Sequence, residues 1–123
     1  MSQITVHGIP NCDTVKKARA WFAAQGVDTA WHDFKKQGVP EAALDRWLAA
    51  VGWERLLNRQ GTTWRRLDDS TKAGVVDAAS ARALMLAQSS VIKRPVVDWG
   101  GGQVSVGFDP EAFAGRLAPG PQS

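Results

Sequence analysis

Ile4-Thr5-Val6-His7-Gly8-Ile9-Pro10-Asn11-Cys12 stands near the start of the chain, and its reading decides the fold. Ile4 to His7 reads as a short strand, Gly8-Ile9-Pro10-Asn11 as a turn, and Cys12 as the start of a helix. The first N–H groups of a helix lack intrahelical partners and point at whatever precedes them. An anionic sulfur at Cys12 is therefore favoured by hydrogen bonds and by the helix macrodipole. Lys16, one turn further on, adds positive charge. This placement predicts a thiolate that reacts at neutral pH. A free cysteine is also commonly a buried, inert hydrophobe. Such a thiol sits among Val and Leu, whereas Cys12 follows Pro10 and is flanked by Asn11, Asp13 and Thr14.

Working outward, Val15, Ala18, Trp21 and Phe22 fall at helical spacing and Gly26 supplies a helix stop, so the first helix is expected over residues 12–25. Asp28 to Phe34 reads as a second strand, followed by a polar turn at Lys35-Lys36-Gln37-Gly38. A β-α-β crossover of this kind packs its helix on two parallel strands. It puts the Cys12 turn at the carboxyl end of the first strand, the edge where ligands usually bind.

The middle of the chain reads as helical. Pro40 suits a first helical position, and Leu44, Trp47, Leu48 and Val51 form an apolar stripe that Gly52 ends. Asp77 is a predicted N-cap for a helix to about Gln88 with Ala81, Leu84 and Met85 facing inward. Leu56 to Arg65 reads as a loop that carries Arg59 as a candidate ligand contact. Strand character returns at Val91-Ile92 and from Pro95 to Trp99. Gly100-Gly101-Gly102 then turns the chain into Gln103–Val106. These glycines lack the spacing and following helix of a phosphate-binding fingerprint. Asp109-Pro110-Glu111 caps a last helix to about Leu117, and residues 118–123 are expected to be a flexible tail.

A chain of 123 residues, 44% hydrophobic and 22% charged, is long enough to bury a core without staples, and one domain over residues 1–117 is expected. Met1 to Thr5 has no basic start or apolar run, and no stretch reaches the roughly 18 apolar residues of a membrane span. One cysteine excludes an internal disulfide and a Cys-rich metal site, which suits a reducing, cytoplasmic setting. The net charge of +3 is modest. The clusters at Lys16-Lys17-Arg19, Lys35-Lys36, Arg59, Arg65-Arg66 and Lys93-Arg94 are either solvated or converge on an anion, and nothing resembles a direct nucleic-acid signature. His7 and His32 read as structural, and neither sits at metal-ligand spacing, so no metal is implied.

The order β-α-β, helical insertion, β-β-α, with a cysteine at the first helix and Arg-Pro before a late strand, resembles the thioredoxin-like fold. The insertion is expected over about residues 39–88. Four stretches carry a narrower resemblance to the ArsC/Spx family, and within it to the YffB branch. They are Gly8 to Ala18, His32-Asp33-Phe34, Leu57-Asn58-Arg59 with Gly61-Thr62-Thr63-Trp64-Arg65, and Ile92-Lys93-Arg94-Pro95. The resemblance spans nearly the whole chain and implies that Cys12 is the nucleophile. It also implies that Arg59 and Arg94 match two arginines lining the arsenate-reductase site, and that Pro95 is a cis-proline. Arginine offers a permanently charged planar fork to a carboxylate or oxyanion. A structural salt bridge is the other reading of Arg94.

Departures from better-known relatives narrow the expectation. Arsenate reductases carry a histidine four residues before the cysteine and a third arginine after the late hairpin. Here those places read Gly8 and Val106-Gly107-Phe108. Spx-type regulators often use Cys-x-x-Cys, but Val15 holds the second position. The YffB resemblance implies a glutathione-dependent monothiol reductase with no tightly bound cofactor. Glutathione or a glutaredoxin-like thiol serves as donor, and Asn11, Lys16, Arg59, Lys93, Arg94 and Pro95 form the binding groups. The alternatives implied by the same family are a regulator that binds the RNA polymerase α subunit, and an arsenate reductase.

Overall fold

The computed structural model describes residues 4–100 and 102–117; the expected tail at 118–123 lies outside the described residues. Strands β1 (Ile4–Gly8), β2 (Thr29–Asp33), β3 (Val96–Gly100) and β4 (Gln103–Val106) form one sheet in the order β2-β1-β3-β4. β1 and β2 are parallel, with Val6 opposite Trp31, while β3 is antiparallel to both β1 and β4. The crossover between the parallel strands is helix α1 (Asp13–Ala24). Helix α8 (Pro110–Leu117) follows β4. This is the β-α-β and β-β-α pairing expected of a thioredoxin-like fold.

Strand periodicity divides the core into two layers. On one face of the sheet, Val6 and Val97 meet Ala18 and Phe22 of α1 and Phe113 of α8. The rings of Phe22 and Phe113 are 5.5 Å apart, and Trp99 stands 5.4 Å from Phe22. On the other face, Val96 and Val104 meet Phe34, Leu44, Trp47, Leu56 and Met85 of the helical connection.

That connection runs from β2 to β3. It contains α2 (Phe34–Gln37), α3 (Glu41–Val51), α4 (Trp53–Leu56), α5 (Thr62–Arg66), α6 (Asp69–Ala73) and α7 (Ala78–Ala87). Gly52, at φ +84°, separates α3 from α4 where the sequence predicts a stop. Asp77 accepts from Ser80 N at 2.9 Å while Ser80 Oγ receives the Asp77 amide, a full capping box. Arg82 of α7 pairs with Asp45 and Glu41 of α3, tying the two long helices together.

Three readings need correction. The expected turn at Lys35–Gly38 is the short helix α2, so the helical connection begins at Phe34 and not near residue 39. Asp33 makes the difference: its carboxylate accepts from Lys35 N at 2.8 Å and caps the turn. The expected loop from Leu56 to Arg65 contains the buried end of α4 and most of α5, with the true turn confined to Asn58–Gly61. Val91 closes a 3₁₀ turn over Ser89–Val91. Ile92 makes a single bridge to Leu57 and forms no strand.

Candidate active site around Cys12

β1 delivers the chain to the turn at Ile9-Pro10-Asn11, where Cys12 N donates to the Ile9 carbonyl at 3.4 Å. Cys12 is the N-cap of α1, extended at φ −93° and ψ 124°, and its side chain fills no capping hydrogen bond. The half-buried sulfur thus stands uncommitted beside the free N–H groups of the first turn.

Across from it, the helical connection is stitched to the approach to β3. Asn58 N donates to the Val91 carbonyl at 2.8 Å, and Lys93 N donates to the Leu56 carbonyl at 2.7 Å. These bonds set the Asn58 turn beside Lys93 and Arg94. The Arg94–Pro95 peptide bond is cis, and the Pro95 carbonyl accepts from Gly107 N at 2.9 Å, which draws in the segment after β4. Gly107 needs its φ of +81° to turn there; its Cα already faces the Lys93 side chain, with a Cβ position 3.5 Å from Cε.

The four segments enclose a cavity of about 520 Å³. Cys12 and Thr14 line it from α1, Asn58 from its turn, Lys93 and Arg94 from the approach to β3, and Val106 to Asp109 from the segment joining β4 to α8. Arg94 is half-buried and donates from Nη1 to the Ser90 carbonyl at 3.0 Å. Its Nε is buried and has no partner among the described residues. Arg94 is in none of the ion pairs among the described residues, so the salt-bridge reading finds no partner there and its guanidinium charge is left to the cavity.

Of the groups singled out from sequence, Cys12, Lys93 and Arg94 come together in this cavity. Arg59 lines an adjoining depression of about 330 Å³ that shares Asn58, Lys93 and Val106 with it. There its guanidinium stacks over Trp53 at 5.3 Å and Trp64 at 5.9 Å. Pro95 is buried and acts on the site through Gly107. Asn11 and Lys16 are exposed and line neither cavity. Lys16 is tied to Cys12 through the backbone, its N–H donating to the Cys12 carbonyl at 2.9 Å as the first bond of the helix, while its side chain is exposed. Sequence reasoning missed Thr14, Asn58 and Asp109 as cavity groups.

His7 belongs to the core. It is 5% exposed, its Nδ1–H donates to the Val96 carbonyl at 3.1 Å, and its ring packs edge-on against Trp47 at 4.7 Å. Burial lowers its pKa to about 4, only partly opposed by the Val96 hydrogen bond, so the ring is neutral at physiological pH. His32 Nε2–H donates to the Gly38 carbonyl at 2.7 Å, and so is likewise occupied in holding the backbone. Gly8 admits no larger residue as the chain stands, because a Cβ there would lie 2.8 Å from Val15 Cγ2. Among the described residues no His, Cys, Asp and Glu cluster could hold a metal ion, and no helix is long and apolar enough to cross a membrane.

Comparison with known proteins agrees with this architecture. An uncharacterized protein of Haemophilus influenzae is 35% identical over 115 residues, covering 94% of this chain and 99% of its own. The solved structure of a YffB protein shares 48% identity and superposes with a TM-score of 0.89, covering 94% of this chain and all of its own. An arsenate reductase (ArsC) related protein from Brucella melitensis shares 49% identity at a TM-score of 0.73, over 95% of this chain and 96% of its own. The ArsC family model matches residues 7–115, from the strand that leads to Cys12 into the helix that follows Asp109. A match of that extent, on a sheet and a cysteine turn arranged as described, means that the chain belongs to the ArsC family.

Proposed function

We infer that the protein is a monothiol reductase acting on oxidised sulfur, with glutathione or a glutaredoxin-like thiol as donor. Membership of the ArsC family supports a thiol-dependent reductase type of function. The observation that carries the finer reading is the setting of the single cysteine. Cys12 caps α1 with an unengaged side chain and faces a cavity large enough for a peptide-sized ligand, in which Lys93 and Arg94 offer positive charge.

In the proposed cycle the Cys12 thiolate attacks one sulfur of a disulfide between glutathione and a second thiol. The new Cys12–glutathione bond forms as the old S–S bond breaks, and the second thiol leaves with the electron pair and takes up a proton. With no second cysteine in the chain, a further glutathione thiolate attacks the adduct. It releases oxidised glutathione and restores the Cys12 thiolate. Lys93 and Arg94 bind carboxylate in this scheme, and Arg59 reaches the outer end of a longer ligand from the adjoining depression.

Arsenate is less well served. The place of the arsenate reductases' histidine is Gly8, closed by Val15, and the segment after the late hairpin, Val106-Gly107-Phe108, has no arginine and leads instead to Asp109 at the cavity. The test is turnover of a glutathionylated peptide with glutathione as donor. It should be lost in Cys12→Ser and reduced in Arg94→Ala. Turnover that survives Cys12→Ser rules the reading out.

A further inference from the structure

The Cys12 cavity carries charge of both signs, with Lys93 and Arg94 on one wall and Asp109 on another. Among the described residues, the ion pairs are Arg46–Asp98, Arg82–Glu41 and Arg82–Asp45, and none of them engages Lys93, Arg94 or Asp109. A pair within ~4 Å would have presented a neutral wall. Here Lys93, Arg94 and Asp109 line one cavity without pairing with one another.

Asp109 has a local task as well. Its Oδ1 accepts from Glu111 N at 3.1 Å and its carbonyl accepts from Phe113 N at 2.9 Å, which begins α8. The macrodipole favours an acid at such a position, but asparagine and serine cap equally well, and capping does not require that the residue line a thiol cavity. Inside the cavity its effect on ligands is selective. A multiply charged inorganic oxyanion gains from Lys93 and Arg94 and is repelled by Asp109. A ligand bearing both an ammonium and a carboxylate is complementary to both walls.

We propose that Asp109 is a specificity-determining residue that holds the ammonium group of a zwitterionic, amino-acid-bearing disulfide while Lys93 and Arg94 hold its carboxylate. This rests on the thiol-exchange reading and narrows its substrate class from anionic disulfides to those that also carry an ammonium group. The chemical step is the same exchange: a bond forms from Cys12 Sγ to one substrate sulfur, and the other sulfur leaves as thiolate.

The experiment measures the rate at which Cys12 becomes disulfide-linked when offered two disulfides of equal length. One is oxidised glutathione and the other its des-amino analogue, in which hydrogen replaces each ammonium group. The native protein should prefer oxidised glutathione by roughly fivefold, the scale of a part-exposed charge contact. Asp109→Asn should erase that preference by slowing the first reaction and quickening the second. Asp109→Ser, a second uncharged cap, should do the same. Equal changes with both disulfides, or no change in either variant, overturn the assignment of Asp109 and leave the thiol-exchange reading standing. If native Cys12 reacts with neither disulfide faster than free cysteine does, both readings fall together.

Discussion

Val15 Cγ2 stands 2.8 Å from the point where a side chain at Gly8 would begin. The contact joins the last residue of β1 to the first buried turn of α1, one turn beyond the N-cap cysteine. Gly8 therefore sets how closely the Cys12 helix approaches the sheet.

Gly8→Ala should lower stability by about 1–3 kcal/mol through overpacking, and Gly8→His by more. Pairing Gly8→Ala with Val15→Ala should recover part of that loss, because the second change removes the group that the first one strikes. Urea unfolding of both single variants and the double variant checks this. Strict additivity of the two losses would show that the contact is relieved some other way.

His7 makes folding sensitive to acid. Burial lowers its folded pKa from 6.5 to about 4, so between those values the unfolded chain binds the proton and the folded chain does not. Stability contributed by the neutral ring is complete above pH 6.5, falls as pH drops toward 4, and is level below that. The full loss is on the order of 3 kcal/mol. Urea midpoints across this range should decline in the native protein, and His7→Asn should flatten that part of the curve whatever its stability at pH 7.

Arg94 and Arg59 should differ in their effect on Cys12. Arg94 shares the cavity with the sulfur, whereas Arg59 lines the neighbouring depression and stacks on Trp53 and Trp64. Arg94→Ala should slow glutathionylation of Cys12 by about tenfold or more, as expected for loss of a charge-assisted hydrogen bond. Arg59→Ala should act mainly on apparent affinity for longer ligands. A larger rate loss in Arg59→Ala than in Arg94→Ala would reverse this assignment.

Phe22→Ala should be among the most damaging single changes, at about 3–5 kcal/mol. Phe22 is fully buried at the meeting point of Trp21, Trp99 and Phe113, with ring separations of 5.3, 5.4 and 5.5 Å. Thermal unfolding gives the value directly. A loss below 1 kcal/mol would mean that neighbouring rings close the gap.

Much of the architecture was legible because its signals are local. The strand before Cys12, the spacing of Val15, Ala18 and Phe22, the Gly52 stop and the Asp77 cap each act within a few residues. The stretch from Trp53 to Ala73 was harder to read. Its helices have only four or five residues, too few to display a helical period, and α5 and α6 bury none of theirs. The site divides in the same way. Cys12 was marked by its own turn, but Asn58 and Asp109 reach the cavity through the Asn58–Val91 and Gly107–Pro95 hydrogen bonds, which span stretches of chain that no local pattern connects. Asp109 shows only as a helix cap in the sequence.

β4 is hydrogen-bonded on one side only, at the edge of the sheet, whereas β1 is held by strands on both sides. The sulfur and the wall opposite it therefore hang from elements of unequal persistence. Cys12 follows directly from the central strand, and Val106 to Asp109 follow from the edge. Backbone amides of β4 should exchange with solvent deuterium sooner than those of β1, and each such opening of the hairpin widens the mouth while the cysteine keeps its place. Ligand entry and release can then be timed by the edge strand and the helix it leads into, without unfolding the turn that carries the chemistry.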